Sequence, residues 1–148
     1  MKKIILFIYT ITLIFCFGSC IKNSCGENKN TSTSIIGTWE LRKTTAAMNP
    51  LGMTYPPGNG NMLKFNTDNY EIYQDKQLVK TGIYIIVADS TVGKSVCLAF
   101  TPDKYTNRIV YDNNFSEPKE FFEISNDQLT FISGCYALDA GQTSTFER

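Results

Sequence analysis

Glu120-Phe121-Phe122-Glu123-Ile124-Ser125-Asn126-Asp127-Gln128-Leu129-Thr130-Phe131-Ile132-Ser133 is the stretch from which the fold is read. Glu120 to Ile124 is a short run of aromatic and β-branched character, Asn126-Asp127 is a turn, and Gln128 to Ser133 is a second short run. Such side chains suit a pleated, half-buried surface, and Asn and Asp accept the backbone a tight hairpin requires. The same texture continues in both directions. Strands are expected at Ile35–Thr45, Met62–Phe65, Tyr70–Tyr73, Leu78–Val87, Ser95–Thr101, Arg108–Tyr111 and Thr143–Glu147, with turn residues between them. Trp39 and Leu41 fall on one face of the first strand, Glu40 and Arg42 on the other. Gly82 sits inside the longest strand, where glycine marks a bend or bulge. Ile83-Tyr84-Ile85-Ile86-Val87 is apolar on both parities, so alternation does not say which face is inward.

One connection is long. Ala46 to Asn61 carries Asn49-Pro50, Leu51-Gly52, Pro56-Pro57 and Gly58-Asn59-Gly60, and is expected to be a loop. Its Met48, Leu51, Met53 and Tyr55 would either dock a partner or fold over a barrel mouth as a lid. No segment shows a sustained helical period. Many short strands joined in sequence by tight turns predict an all-β, up-and-down antiparallel β-barrel of about eight strands. A β-sandwich is the alternative.

The first nineteen residues belong to another category. Met1-Lys2-Lys3 is a positive start, Ile4 to Phe17 an apolar run, and Gly18-Ser19 a pair of small residues before Cys20. This is the pattern of a secretory signal, and the run is shorter than the roughly 20 residues of a spanning helix. Residues 20–34 are polar and aperiodic and read as a tether. The expected organisation is therefore 1–19 signal peptide, 20–34 tether and 35–148 barrel domain.

Composition narrows the function. The chain carries 14 Lys and Arg against 14 Asp and Glu, and loss of Lys2 and Lys3 with the signal leaves it slightly acidic. Nucleic-acid binding gains no support. The chain has no histidine, and with it go the commonest general base and the commonest zinc ligand. No nucleophile elbow, phosphate loop or metal-ligand spacing is present, and the acidic residues are accounted for otherwise. Glu117, Glu120 and Glu123 read as a solvated strand edge, and Asp68, Asp75, Asp103, Asp112 and Asp127 as turn residues. The expectation is a protein with no enzymatic activity, no cofactor and no metal site.

Of five cysteines, Cys16 leaves with the signal. Export favours pairing among Cys25, Cys97 and Cys135. Cys97 with Cys135 is the expected bond, since both lie in strand-like or strand-flanking sequence. Cys25 would remain free or pair between molecules. Two buried free thiols are the alternative.

Phe17-Gly18-Ser19-Cys20 resembles the lipobox of bacterial lipoproteins, with Phe17 standing where Leu or Val is usual. The resemblance implies a diacylglycerol thioether on Cys20, an acylated new N-terminus and anchorage in a membrane. Ile36-Gly37-Thr38-Trp39-Glu40-Leu41 resembles the Gly-x-Trp signature of lipocalins and of lipocalin-like domains in small lipoproteins of Bacteroidota. The ending from Asp139-Ala140-Gly141 through Thr145-Phe146-Glu147-Arg148 is similar to the last strand of those domains. The resemblance implies that Trp39 plugs the closed end of the barrel and that Arg148 packs across it. It also implies an envelope location, with the outer membrane favoured. The residues after Cys20, Ile21-Lys22-Asn23-Ser24, are not acidic and favour the periplasmic face over the cell surface.

Aromatic residues are abundant. Phe65, Tyr70, Tyr84, Phe100, Tyr111, Phe122 and Phe131 are candidates to line a cavity for a small apolar or amphipathic ligand, or else to fill the barrel solidly. A non-enzymatic envelope lipoprotein that meets a protein partner is the alternative function.

Overall fold

The computed structural model describes residues 34–101 and 103–148. The signal, Cys16, Cys20, Cys25 and the tether up to residue 33 lie outside the described residues. The strands are β1 (Gly37–Ala46), β2 (Asn49–Thr54), β3 (Met62–Phe65), β4 (Asn69–Gln74) and β5 (Gln77–Ala88), then β6 (Asn107–Tyr111), β7 (Glu120–Ser125), β8 (Gln128–Ser133) and β9 (Gln142–Glu147). One short helix, α1 (Val92–Val96), lies between β5 and β6, and a 3-10 turn spans Tyr136–Leu138.

All the strands belong to one antiparallel sheet in the order β2-β1-β3-β4-β5-β6-β7-β8-β9, and β1 also pairs with β9. That last pairing, from Glu40–Glu147 to Ala46–Gln142, closes eight strands into an up-and-down barrel with β2 as an addition. The structure is therefore a barrel and not a sandwich. The tight turns follow their residues. Asp75-Lys76 and Asn126-Asp127 each take two successive positive φ angles, the backbone a two-residue hairpin needs.

Two segments differ from their expected structure. Residues 46–61 are not one loop. β2 lies inside them and occupies the part of the β1 edge that β3 leaves free, because β3 pairs only with Gly37–Glu40 and β2 with Lys43–Ala46. Pro50 and Gly52 are tolerated because β2 is an edge strand, where a missing donor and a positive φ at Gly52 cost little. Ser95–Thr101 is not a strand. Val92 and Val96, four apart, are buried on one side of α1, and Cys97 ends it in the left-handed region.

The pairs alternate in and out with the pleat. Inside, Ile35, Trp39, Phe65, Tyr70, Tyr84, Ile109, Phe122, Leu129, Phe131 and Phe146 form the main core, with Leu41, Leu63, Ile72, Tyr111 and Ile124 against it. Outside, Phe121 and Ile132 point away from that core and are covered by Val92, Val96 and Tyr105, making a second core on the outer wall. The Cys97–Cys135 disulfide links the end of α1 to the chain just after β8, which ties this outer layer to the barrel.

Gly82 is not a bulge. The register shift of this strand lies opposite Ile72 and Tyr73. A Cβ at Gly82 would collide with the Asp112 carboxylate and press on the Tyr70 ring, so glycine serves close approach here.

Candidate functional site

The two ends of the barrel differ. At one end Trp39 is fully buried and its Nε1 donates to the Ile35 carbonyl at 2.7 Å. The Arg148 guanidinium lies 4.0 Å from the centroid of the Trp39 ring. This end is closed.

The seven candidate aromatic residues divide. Phe65 and Tyr84 meet edge to face at 5.1 Å, Tyr70 and Tyr111 at 4.7 Å, and Phe131 meets Phe122 and Phe146 at 6.0 Å. These rings pack on one another and fill the interior. Phe100 is elsewhere: it meets Tyr105 at 5.2 Å in the outer-wall core. It therefore cannot line the barrel interior, because the segment expected as its strand is the end of α1 and the loop behind it.

A cleft of about 520 Å³ opens at the other end. Its origin is in the register. β6 and β7 pair only at Asn107–Phe122, Arg108–Phe121 and Ile109–Glu120. Beyond Ile109 the strands part, and residues 112–119 bridge the gap. The cleft is lined there by Ile109, Val110, Tyr111, Pro118, Glu120, Ser133 and Gln142, with Lys80, Arg108 and Lys119 among its charged walls. Ile109, Glu120, Ser133, Gln142 and Ala46 form one rung around the inner face, through the pairs Ile109–Glu120, Glu120–Ser133, Ser133–Gln142 and Ala46–Gln142. The rung is polar in its middle. Gln142 Nε2 donates to Ser133 Oγ at 3.1 Å.

Glu120 is the unusual member. Burial pushes its carboxyl up to about 7, although a hydrogen bond from Tyr111 pulls the other way. Burial likewise raises the Tyr111 hydroxyl far above its ordinary value. Glu120 is thus not on a solvated edge as the sequence suggested. It shares the inward parity of Phe122 and Ile124. Glu117 is exposed, and Glu123 faces Lys104 at 3.8 Å on the outer wall. A carboxyl near its midpoint at neutral pH both donates and accepts hydrogen bonds, so it can hold a hydroxyl, an amide or an amine.

The cations around the cleft are engaged. Asp89 takes Arg108 at 3.2 Å and Lys119 at 2.9 Å. Burial opposes ionisation of Asp89, but hydrogen bonds from Thr91 and Lys119 outweigh it and hold the carboxyl down at about 2. Lys80 pairs with Asp112 at 3.3 Å, and Tyr70 donates to the same carboxylate at 2.9 Å. Asp112 is a turn residue, yet its carboxylate serves these partners and the Ile83 amide at 3.2 Å.

Sequence reasoning named Tyr111 but missed Glu120, Ser133, Gln142 and the Asp89 pairings. The available signal for Glu120 was its shared parity with Phe122 and Ile124. The competing parity holds Phe121, which is buried too, so alternation alone could not choose. No protein-family model, no curated protein and no solved structure matches this chain.

Proposed function

We propose that the protein is a lipid-anchored envelope lipoprotein, without enzymatic activity, whose barrel binds a small amphipathic ligand in the cleft between β6 and β7. One observation carries the binding: a cleft of about 520 Å³ combines apolar walls at Ile109, Val110 and Pro118 with a partly buried carboxyl at Glu120. Clefts of this size with a few convergent polar groups are the usual form of small-ligand sites. The filled interior argues against a wholly apolar ligand swallowed by the barrel. The leader and Cys20 support the anchor, and the absence of histidine weighs against acid–base catalysis at neutral pH.

The test uses the processed chain extracted from membranes and titrated with Nile red, an uncharged fluorescent apolar probe, and with anilinonaphthalene sulfonate, its anionic amphipathic counterpart. Saturable one-to-one binding of the second, weakened about tenfold by Gln142→Trp at the cleft, is expected. No saturable binding, or binding indifferent to the substitution, overturns the reading. The mass of Cys20 tests the anchor separately.

A second reading is supported by β2. It ends the strand order, so its outer edge is unpaired among the described residues, and Met48, Leu51 and Met53 are exposed beside it. A free edge with apolar side chains suits an envelope protein partner that adds a strand.

A further inference from the structure

We propose that the closed end of the barrel rests on the bilayer itself, with Ile36, Ile83, Ile85 and Ile86 as the contact. The proposal rests on the lipid anchor at Cys20 put forward above. Tyr84 points inward, so Ile83 and Ile85 point outward. Here an antiparallel sheet facing water ordinarily carries polar side chains. Instead Ile83 and Ile85 are 48 % and 38 % exposed, and Ile86, on the parity of Tyr84, and Ile36, just before β1, are exposed beside them. Ile36, Ile85 and Ile86 line one shallow hollow of about 580 Å³, and no charged residue lines it.

The position of the chain says what covers this patch. Ser34 lines the same hollow, and its carbonyl accepts from Arg148 Nη2 at 2.7 Å. The segment leading back to Cys20 therefore leaves from the patch. Ser34 is fourteen positions after Cys20, a reach of about 20 Å for a coil-like chain and under about 50 Å at full extension. Beyond Ile21 and Cys25 that segment is polar and has nothing apolar to lay over four isoleucines. The lipid on Cys20 brings a bilayer within reach of this rim. β5 runs from Gln77 at the open end to Ala88 at the closed end.

The experiment labels single cysteines with an environment-sensitive dye in the full lipidated chain, with Cys25→Ser as background and the Cys97–Cys135 bond intact. Labels are placed by Ile36→Cys, Ile85→Cys and, as the far control, Gln77→Cys. The vesicles are phosphatidylethanolamine and phosphatidylglycerol with nitroxide-labelled phosphatidylcholine. Emission from positions 36 and 85 is expected to shift blue and to fall by more than about half with the nitroxide lipid, while position 77 reports water. Labels at 36 and 85 as wet as 77, on a chain whose Cys20 is acylated by mass, overturn the docking and leave the anchor standing. A bare Cys20 overturns the anchor and the docking together. A blue shift without nitroxide quenching means that protein covers the patch, and it also overturns the proposal.

Discussion

The Arg148 guanidinium stands over the Trp39 indole at 4.0 Å, and through Nη2 it also holds the Ser34 carbonyl. One side chain at the end of β9 thus seals the closed end twice: it covers the plug and fixes the segment that leads into β1. A cation over an indole face contributes about 0.5–2 kcal/mol. Arg148→Ala is expected to lower stability by about 1–2 kcal/mol, with Arg148→Lys in between, because lysine keeps the charge but not the planar stack. Trp39→Ala leaves a large void and is expected to cost about 3–5 kcal/mol. Urea unfolding followed by circular dichroism measures all three. Equal midpoints for Arg148→Ala and the parent would show that the contact contributes nothing.

The disulfide joins positions 38 apart in sequence, and such a loop corresponds to roughly 4 kcal/mol in the chain-entropy description. It also holds α1 against Phe121 and Ile132. The double variant Cys97→Ser/Cys135→Ser is expected to lose about 2–4 kcal/mol. Amide exchange should rise first in residues 92–97, before β3 and β4. Uniform loosening of the whole barrel would mean that the outer layer is not a separate unit.

Legibility followed the turns. β3 and β8 have the bounds their flanking residues dictated, because a strand caught between tight turns has nowhere else to begin or end. α1 was not legible. Five residues make little more than one helical turn, too few for a period, and Val92 with Val96 only acquires meaning once Phe121 and Ile132 are known to face outward. β2 was hidden because Pro50 and Gly52 break strands in general, yet an unpaired edge forgives both. The barrel was therefore readable from local chemistry, while the bond between Cys97 and Cys135 was expected on a strand at Cys97 that is in fact the end of α1. The cleft was not readable. It arises where β6 and β7 stop pairing, and that is a long-range fact which no window of sequence contains.

Glu40 shows how an outward residue on β1 shapes the chain beyond β2. Its carboxylate accepts from the Gly58 amide at 3.0 Å, the Gly60 amide at 3.1 Å and Arg42 Nη1 at 2.7 Å. Those backbone hydrogen bonds, with the Arg42 contact after them, hold its carboxyl down at about 2. Because the folded value lies below the unfolded one, this stabilisation is present above about pH 4.5 and is lost as pH falls toward 2. Glu40→Ala is expected to cost roughly 1–3 kcal/mol at neutral pH, as lost hydrogen bonds to a charged group do. Hydrogen exchange at Gly58 and Gly60 should quicken, while the Lys43–Thr54 pairing of β1 with β2 persists. Unchanged exchange at the two glycines would refute the role.

Glu120 has the opposite sign. Burial raises its carboxyl from 4.5 to about 7, so between those values the folded state binds more protons than the unfolded one. Stability from this group is complete below about pH 4.5, declines as pH rises, and stops declining above about 7. The cleft is open to water, which limits the loss to on the order of 2–3 kcal/mol. Combined with Glu40 and Asp89, whose carboxyls are held near 2, the profile should climb from pH 2 to about 4 and then descend toward pH 7. Glu120→Gln keeps the shape and the hydrogen bond but cannot ionise. It is expected to remove the descending limb and leave the acid limb alone. Urea midpoints taken at half-unit steps from pH 3 to pH 8 decide the matter. Parallel profiles for parent and variant would place the Glu120 carboxyl in water, and with it would go the polar centre of the proposed ligand site.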